Sequence, residues 1–171
     1  MTIKKATLIN MFILLLLFSG CGYTFTGGGN FPADIKSICV NTLKNRSSET
    51  GIENIITNDI IYEITRSGRL ELTKKETADA VLDGEVESLK VYSISRRGSH
   101  TSLERRVQVS IALTLTDKNN RIIWSVKGFT DDETYEVTSD KLSTEHKKRD
   151  AISKLSERMA EKIFNRLTDN F

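Results

Sequence analysis

In 171 residues the chain has one proline, two cysteines, two histidines and one tryptophan. Two cysteines form at most one bridge, so a disulfide-stapled scaffold is excluded. His100 and His146 sit in polar, charged segments, no histidine pair has metal-ligand spacing, and Cys39 has no zinc pattern beside it. No Gly-x-Ser-x-Gly elbow occurs. Asp131-Asp132-Glu133 reads as a solvated acidic turn, and Asp79 and Asp83 as ordinary strand-edge carboxylates. No active site emerges, and a non-enzymatic protein with no cofactor and no metal is expected. An excess of one charge is missing too. Lys4 and Lys5 belong to the extreme N-terminus, and the remaining basic residues equal the 23 acidic ones. A formally neutral body lacks the electrostatic footprint of a nucleic-acid binder. There is no repeat and no low-complexity tract. The longest apolar run, Met11 to Phe18, has eight residues, against the about 20 that a spanning helix requires.

That short run is nevertheless informative. Lys4 and Lys5 precede it, and Ser19-Gly20 follow. A charged start, a short apolar middle and a small-residue end describe a secretory signal peptide, with an uncleaved N-terminal anchor as the alternative. Cys21 comes next, and Phe18-Ser19-Gly20-Cys21 resembles the bacterial lipobox, with Phe18 where an aliphatic residue is usual. The resemblance implies cleavage before Cys21 and acylation of its sulfur and new amino group. Gly22 follows, rather than the aspartate associated with inner-membrane retention, so the resemblance implies the outer membrane. Each buried methylene of an acyl chain contributes about 0.8 kcal/mol, and two or more chains anchor firmly. Cys39, within Ile38-Cys39-Val40, is then a lone small hydrophobe. The rival is a Cys21–Cys39 disulfide in an unlipidated secreted protein.

Residues 1–20 are therefore read as a lipoprotein signal peptide, 21–34 as a lipidated tether containing Gly27-Gly28-Gly29, and 35–171 as a single domain. From Cys21 onward there are 151 residues. A chain of that size buries about 68–70% of its unfolded surface and needs no disulfides.

Periodicity then sets out the elements. Ile35 to Leu43 predicts a strand, and "NRSSETG" a turn. A helix over 51–67 carries Ile52, Ile55, Ile56, Ile60 and Ile64 in one stripe, widened by Ile61, and Gly68 suits its C-cap. Residues 69–73 predict a short strand and 78–94 a long one, with a bulge where apolar residues change face near Ser88-Leu89. From Val107 to Thr116 the alternation is strict: Val107, Val109, Ile111, Leu113 and Leu115 against Gln108, Ser110, Ala112, Thr114 and Thr116. That pattern belongs to a half-buried antiparallel strand. "DKNNR" reads as a hairpin turn, after which Ile122, Trp124 and Val126 resume the buried face. A last helix over 147–168 presents Ile152, Leu155, Met159, Ile163 and Leu167, with Lys154, Glu157, Arg158, Glu161, Lys162 and Arg166 on its polar side. The order β-α-β-β-β-β-α predicts an α+β two-layer sandwich, with two helices on one face of a mostly antiparallel or mixed sheet of four to five strands. The open face would be small, polar and uncharged. Water or the polar cavity of a partner could meet it.

Two basic clusters stand out. Arg96, Arg97, Arg105 and Arg106, with Glu104 the one acid from 96 to 106, occupy the turn after the long strand. Lys141, Lys147, Lys148 and Arg149 lead into the last helix. Guanidinium forks match phosphate bidentately, and lysine adds a point charge. For a lipoprotein of the outer membrane the abundant phosphorylated ligand is lipopolysaccharide. A solvated loop is the plainer alternative.

Several motifs in order carry a family resemblance: Cys21-Gly22-Tyr23-x-Phe25, the glycine run, Ile38-Cys39-Val40, "LKNRSSETGIEN" and "ADAVLDGEV". Leu43 to Glu53 matches F-x-N-R-[TS]-x-E-x-G-[IL]-E, with Leu43 in place of phenylalanine, and Ala78 to Gly84 matches ADAVL-x-G. Nearly the whole chain after the leader resembles the lipopolysaccharide-assembly lipoprotein family LptE. The resemblance implies a plug and assembly partner for the outer-membrane β-barrel LptD, lipid-anchored at the periplasmic face, that helps deliver lipopolysaccharide to the outer leaflet. It implies lipopolysaccharide contact by Arg96 and Arg97 in the turn and by Lys141 before the last helix. The competing function is a structural envelope lipoprotein serving another assembly or secretion complex. If Cys21 carries the anchor, Cys21→Ser should abolish incorporation of labelled palmitate and leave the leader uncleaved, both read on an immunoprecipitated gel band.

Overall fold

In a computed structural model, residues 35–94 and 103–169 are described. Cys21, Arg96, Arg97, His100 and the glycine run lie outside them. The elements are β1 (Ser37–Val40), β2 (Lys44–Asn45), α1 (Ile52–Ser67), β3 (Glu71–Leu72), β4 (Ala80–Ile94), β5 (Leu103–Asp117), β6 (Ile122–Val137) and α2 (Lys141–Asp169). They form the expected two-layer α+β arrangement. The sheet is mixed and six-stranded, in the order β3-β1-β4-β5-β6, with β2 also pairing with β4. The extra strand arises because the segment read as one strand over 35–43 breaks after Val40 and resumes at Lys44, both pieces running parallel to β4.

The strictly alternating segment is the centre of the sheet. β5 pairs antiparallel with β4 on one side and β6 on the other. Val107, Val109, Ile111, Leu113 and Leu115 are at most 1% exposed. Against them pack Ile52, Ile56, Ile60 and Ile64 from α1 and Ile152, Leu155, Met159, Ile163 and Leu167 from α2, all buried. The β4–β5 register breaks between Val86 and Ser88, where the change of apolar face predicts a bulge. Gly68 caps α1 in the left-handed region at φ 62°, a conformation glycine adopts without a Cβ penalty.

Four details depart from the sequence reading. Ile55 is 40% exposed on the outer side of α1, and Thr57 takes a buried place because its hydroxyl satisfies both the Glu53 carbonyl and the Leu43 amide. Ile122 is 66% exposed, because the β5–β6 register slips between Leu115 and Thr116 and turns it outward, while Trp124 and Val126 stay packed on the core. β6 does not stop at Val126. A second slip, opposite Ile111/Leu113, falls at Gly128, whose φ of 61° lets the strand bulge and continue to Val137. Lastly, α2 begins at Lys141, not 147. Asp140 accepts hydrogen bonds from the Leu142 and Ser143 amides at 3.3 and 2.8 Å, an N-cap that starts the helix early.

Gly84 marks the tightest approach within the sheet. A Cβ there would lie 2.6 Å from the Ala112 carbonyl oxygen and 2.8 Å from Leu43 Cδ2. Overpacking such a site typically costs about 1–3 kcal/mol. Gly84→Val should therefore lower the unfolding free energy by that amount, seen in equilibrium unfolding as a lower urea midpoint at unchanged slope.

Candidate functional site

The motif that carries the family resemblance is built into a loop. Asn45 donates to the Glu49 carbonyl at 2.8 Å and to Glu53 at 2.7 Å, and its own Oδ1 accepts from the Ser47 amide and hydroxyl at 2.8 Å. Glu53 also accepts from the Gly51 amide, and Glu49 pairs with Lys148 of α2 at 2.6 Å. Asn45, Ser47, Glu49 and Glu53 thus close the turn into α1 and tie it to the other helix. Arg46 bonds Glu85 at 2.7 Å, in the row where β2 meets β4. The second motif is structural as well. Asp79, just before β4, accepts from the Lys36 and Ser37 amides at 3.1 Å and the Ser37 hydroxyl at 2.9 Å. Foremost the Lys36 amide, then the Ser37 hydroxyl, hold its carboxyl below the usual range.

Asp131, Asp132 and Glu133 do not form a solvated turn; they lie within β6. Arg158 of α2 donates Nε to Asp131 at 2.9 Å, Nη1 to Glu133 at 2.8 Å and Nη2 to the Asp132 carbonyl at 2.6 Å. Lys162 adds a bond to Asp131 at 2.8 Å. Arg166 sits over the Phe129 ring, 4.6 Å from its centroid. Half of the helix's expected polar side is therefore an electrostatic clamp onto the edge strand. Burial raises the Asp131 pKa, but the hydrogen bonds from Arg158, Lys162 and the Asp132 amide outweigh it, and the net shift is downward.

The basic clusters have mixed fates. Lys147 pairs with Glu136 at 2.7 Å and Lys148 with Glu49, so these two lysines serve the fold. Arg106 pairs with Asp132 at 3.2 Å. Lys141 opens α2 and is exposed. The β4–β5 hairpin pairs out to Ile94 and Glu104, and Leu103 lies opposite Val137 of β6, four residues before Lys141. The start of α2 thus lies at the same end of the sheet as Ile94, the last residue of β4, and Leu103, the first of β5. That end exposes Val91 (42%), Tyr92 (44%), Leu103 (55%) and Leu142 (64%). Apolar side chains beside basic ones suit an amphiphile with anionic headgroups. Sequence reasoning missed this apolar component, since Val91 and Leu103 continue the buried periodicity but lie beyond the reach of the helices.

The open face of the sheet is also only partly as expected. β5 contributes Gln108, Ser110, Ala112 and Thr114, all half-buried. Its neighbours add charge: Asp83 opposite Thr114, Glu85 opposite Ala112, Lys90 and Asp132 opposite Gln108. Asp83 accepts from Asn41 at 2.8 Å and Glu87 from Ser110 at 2.7 Å. The face is polar but not uncharged. Among the described residues no group of His, Cys, Asp or Glu is placed to hold a metal ion, and no helix is long and apolar enough to cross a membrane.

If Arg158 clamps the acidic stretch of β6, Arg158→Met should cost roughly 1–2 kcal/mol, between the values for exposed and buried pairs. The depressed Asp131 contributes stability above its unfolded value of about 3.9 and loses it as pH falls through the lower folded value. The difference between wild type and variant should then be full near neutrality and shrink below about pH 4, as urea titrations at stepped pH will show.

Comparison with known proteins completes the site. The fold is similar to that of lipoprotein B from Nitrosomonas europaea, with a TM-score of 0.59 at 13% identity, covering 86% of this chain and 90% of that one. It is also similar to a minor lipoprotein from Acinetobacter baumannii, with a TM-score of 0.52 at 14% identity, covering 80% and 92%. At these identities the likeness is one of fold alone. No curated protein sequence matches the chain. The family model described as LptE, lipopolysaccharide-assembly, matches residues 35–167. That span runs from two residues before β1 almost to the end of α2, and the chain therefore belongs to the LptE family, a non-enzymatic lipoprotein family of lipopolysaccharide assembly.

Proposed function

We propose that the protein is an outer-membrane lipoprotein, anchored through Cys21 at the periplasmic face, that partners an LptD-type β-barrel as plug and assembly subunit and helps deliver lipopolysaccharide to the outer leaflet. The family match over residues 35–167 carries this reading. Two features of the fold support it. The open sheet face is polar, and so is the interior of an outer-membrane barrel. The sheet end at which β4 stops, two residues before Arg96 in the sequence, holds exposed Lys141, Leu103, Leu142 and Tyr92.

In mechanism, the acyl chains on Cys21 hold the domain at the inner leaflet, and the folded body fills and braces the barrel. Arg96, Arg97 and Lys141 engage the phosphates of lipid A and core sugar, while the neighbouring apolar side chains meet the acyl region. Charge-assisted bonds to phosphate are about twice as strong as neutral ones, so these contacts compete with the association of lipopolysaccharide with itself.

Two measurements test it. A mild-detergent pull-down of the tagged full-length protein should bring down a large outer-membrane barrel together with an acylated Cys21 peptide. An acylated peptide with a different complex would move the function to an accessory of another envelope assembly. Arg96→Glu with Arg97→Glu should weaken lipopolysaccharide binding by roughly tenfold or more, as reversing two charge-assisted contacts predicts, with the circular dichroism spectrum unchanged. Unaltered binding would remove the arginine turn from the mechanism.

A further inference from the structure

The two faces of the sheet carry different chemistry at the hairpin end. Side chains of β5 alternate, and its register with β6 is unbroken from Leu103 to Ile111. Leu103 and Arg105 therefore share the helix side with buried Val107 and Val109, whereas Glu104 and Arg106 belong to the open face. Across the sheet, Arg105 stands opposite Ser93 of β4 and Tyr135 of β6, and Val91 stands opposite Val107. Val91 and Leu103 are exposed, and Leu142, in the first turn of α2, adds a third exposed apolar side chain within the helix layer. Lys141 precedes it and is exposed as well. Tyr92 points the other way, its hydroxyl 3.4 Å from Gln108 on the open face.

Arg105 is the odd member of its row. It is half-buried and forms no hydrogen bond or ion pair among the described residues. The carboxylates around it are already matched. Glu133, its diagonal neighbour, is bonded by Arg158 at 2.8 Å, Glu136 is bonded by Lys147 at 2.7 Å, and Asp140 accepts from two amides at the start of α2. Glu145 lies 4.0 Å from Lys148, which also binds Glu49 at 2.6 Å. Arg106, one residue on, is spent on Asp132 at 3.2 Å on the open face. The helix side of this end thus keeps two unmatched cations, Arg105 and Lys141, against apolar surface. A guanidinium is weakly hydrated and offers two parallel donors to a phosphate. Leu103 and Val91 beside it present only hydrocarbon, which gains by meeting hydrocarbon.

We propose that the helix side of the hairpin end is the lipopolysaccharide-binding face, with Arg105 pairing with a lipid A phosphate and Val91, Leu103 and Leu142 meeting the acyl chains. This rests on the functional reading above and adds to it a residue and a side. A phosphorylated, multiply acylated lipid needs an unspent cation and bare apolar surface together, and in the described part of the hairpin only the helix side has both. The open face, with Tyr92 and Arg106, is left to a polar partner. The period of two in β5 keeps the two contacts apart, since neighbouring residues point to opposite faces.

The test places benzoylphenylalanine at position 103 or position 92 of the full-length lipoprotein in living cells and detects adducts with an antibody to lipopolysaccharide. Position 103 should give a lipopolysaccharide adduct, and position 92 little or none. Arg105→Glu should lower the yield at 103 by about tenfold, as juxtaposing a carboxylate with phosphate predicts. Arg105→Lys should retain part of the yield, a point charge replacing the fork. Arg106→Gln should leave it unchanged, with every variant at wild-type abundance in the membrane fraction and folded by circular dichroism. A yield at 92 equal to that at 103 would keep lipopolysaccharide as the ligand and overturn the side. A yield at 103 indifferent to Arg105→Glu would overturn the residue. No adduct at either position, with the barrel still recovered in the pull-down, would overturn this proposal and leave the barrel reading standing.

Discussion

The burial of one face of β5 under two helices is the constraint on which the rest of the structure depends. Val107, Val109, Ile111, Leu113 and Leu115 are at most 1% exposed, and the isoleucine stripe of α1 and the mixed stripe of α2 meet there. Side chains alternate with a period of two, so a slip of one residue would carry all five into solvent. Burying a side chain of this kind contributes about 1.5–3 kcal/mol relative to exposure, so the register of the central strand is strongly selected. The neighbours adapt to it. β4 takes up its mismatch in the bulge between Val86 and Ser88, and β6 in two slips, one at Gly128.

β6 shows how charge finishes what burial begins. An edge strand carrying Asp131, Asp132 and Glu133 on its own reads as a turn, since carboxylates are poor strand formers. Arg158 changes the balance by binding two of the carboxylates and one backbone carbonyl from α2. The carbonyl contact covers part of a sheet edge that would otherwise be open to another strand. Docking of α2 and the extension of β6 to Val137 therefore support each other, and Lys141 follows at the end of the sheet where β4 stops.

This arrangement separates structural polar groups from those available to partners. Asn45, Glu49 and Glu53 close the loop into α1, and Asp79 fastens β1 to the start of β4. The motifs that identify the family thus describe how it folds, not what it touches. Two surfaces remain: the polar open face and the amphipathic end of the hairpin. The proposed function, contact with both a barrel and an amphiphile, would use surfaces of different chemistry on different sides.

The sequence by itself determined the class and order of the elements, the strict alternation of β5, the bulge in β4 and the cap at Gly68, because each is set by local periodicity or by one residue's backbone preference. The expectation of a leader and a lipidated Cys21 likewise rests on contiguous residues. Only the tertiary structure decided where β6 ends, that Ile55 and Ile122 face solvent, and that Lys147 and Lys148 are held by Glu136 and Glu49. These outcomes turn on partners in other elements, Lys147 and Glu136 being 11 residues apart and Lys148 and Glu49 99 apart. A charge or an isoleucine read along the chain shows what it can do, and its partner across space settles what it does.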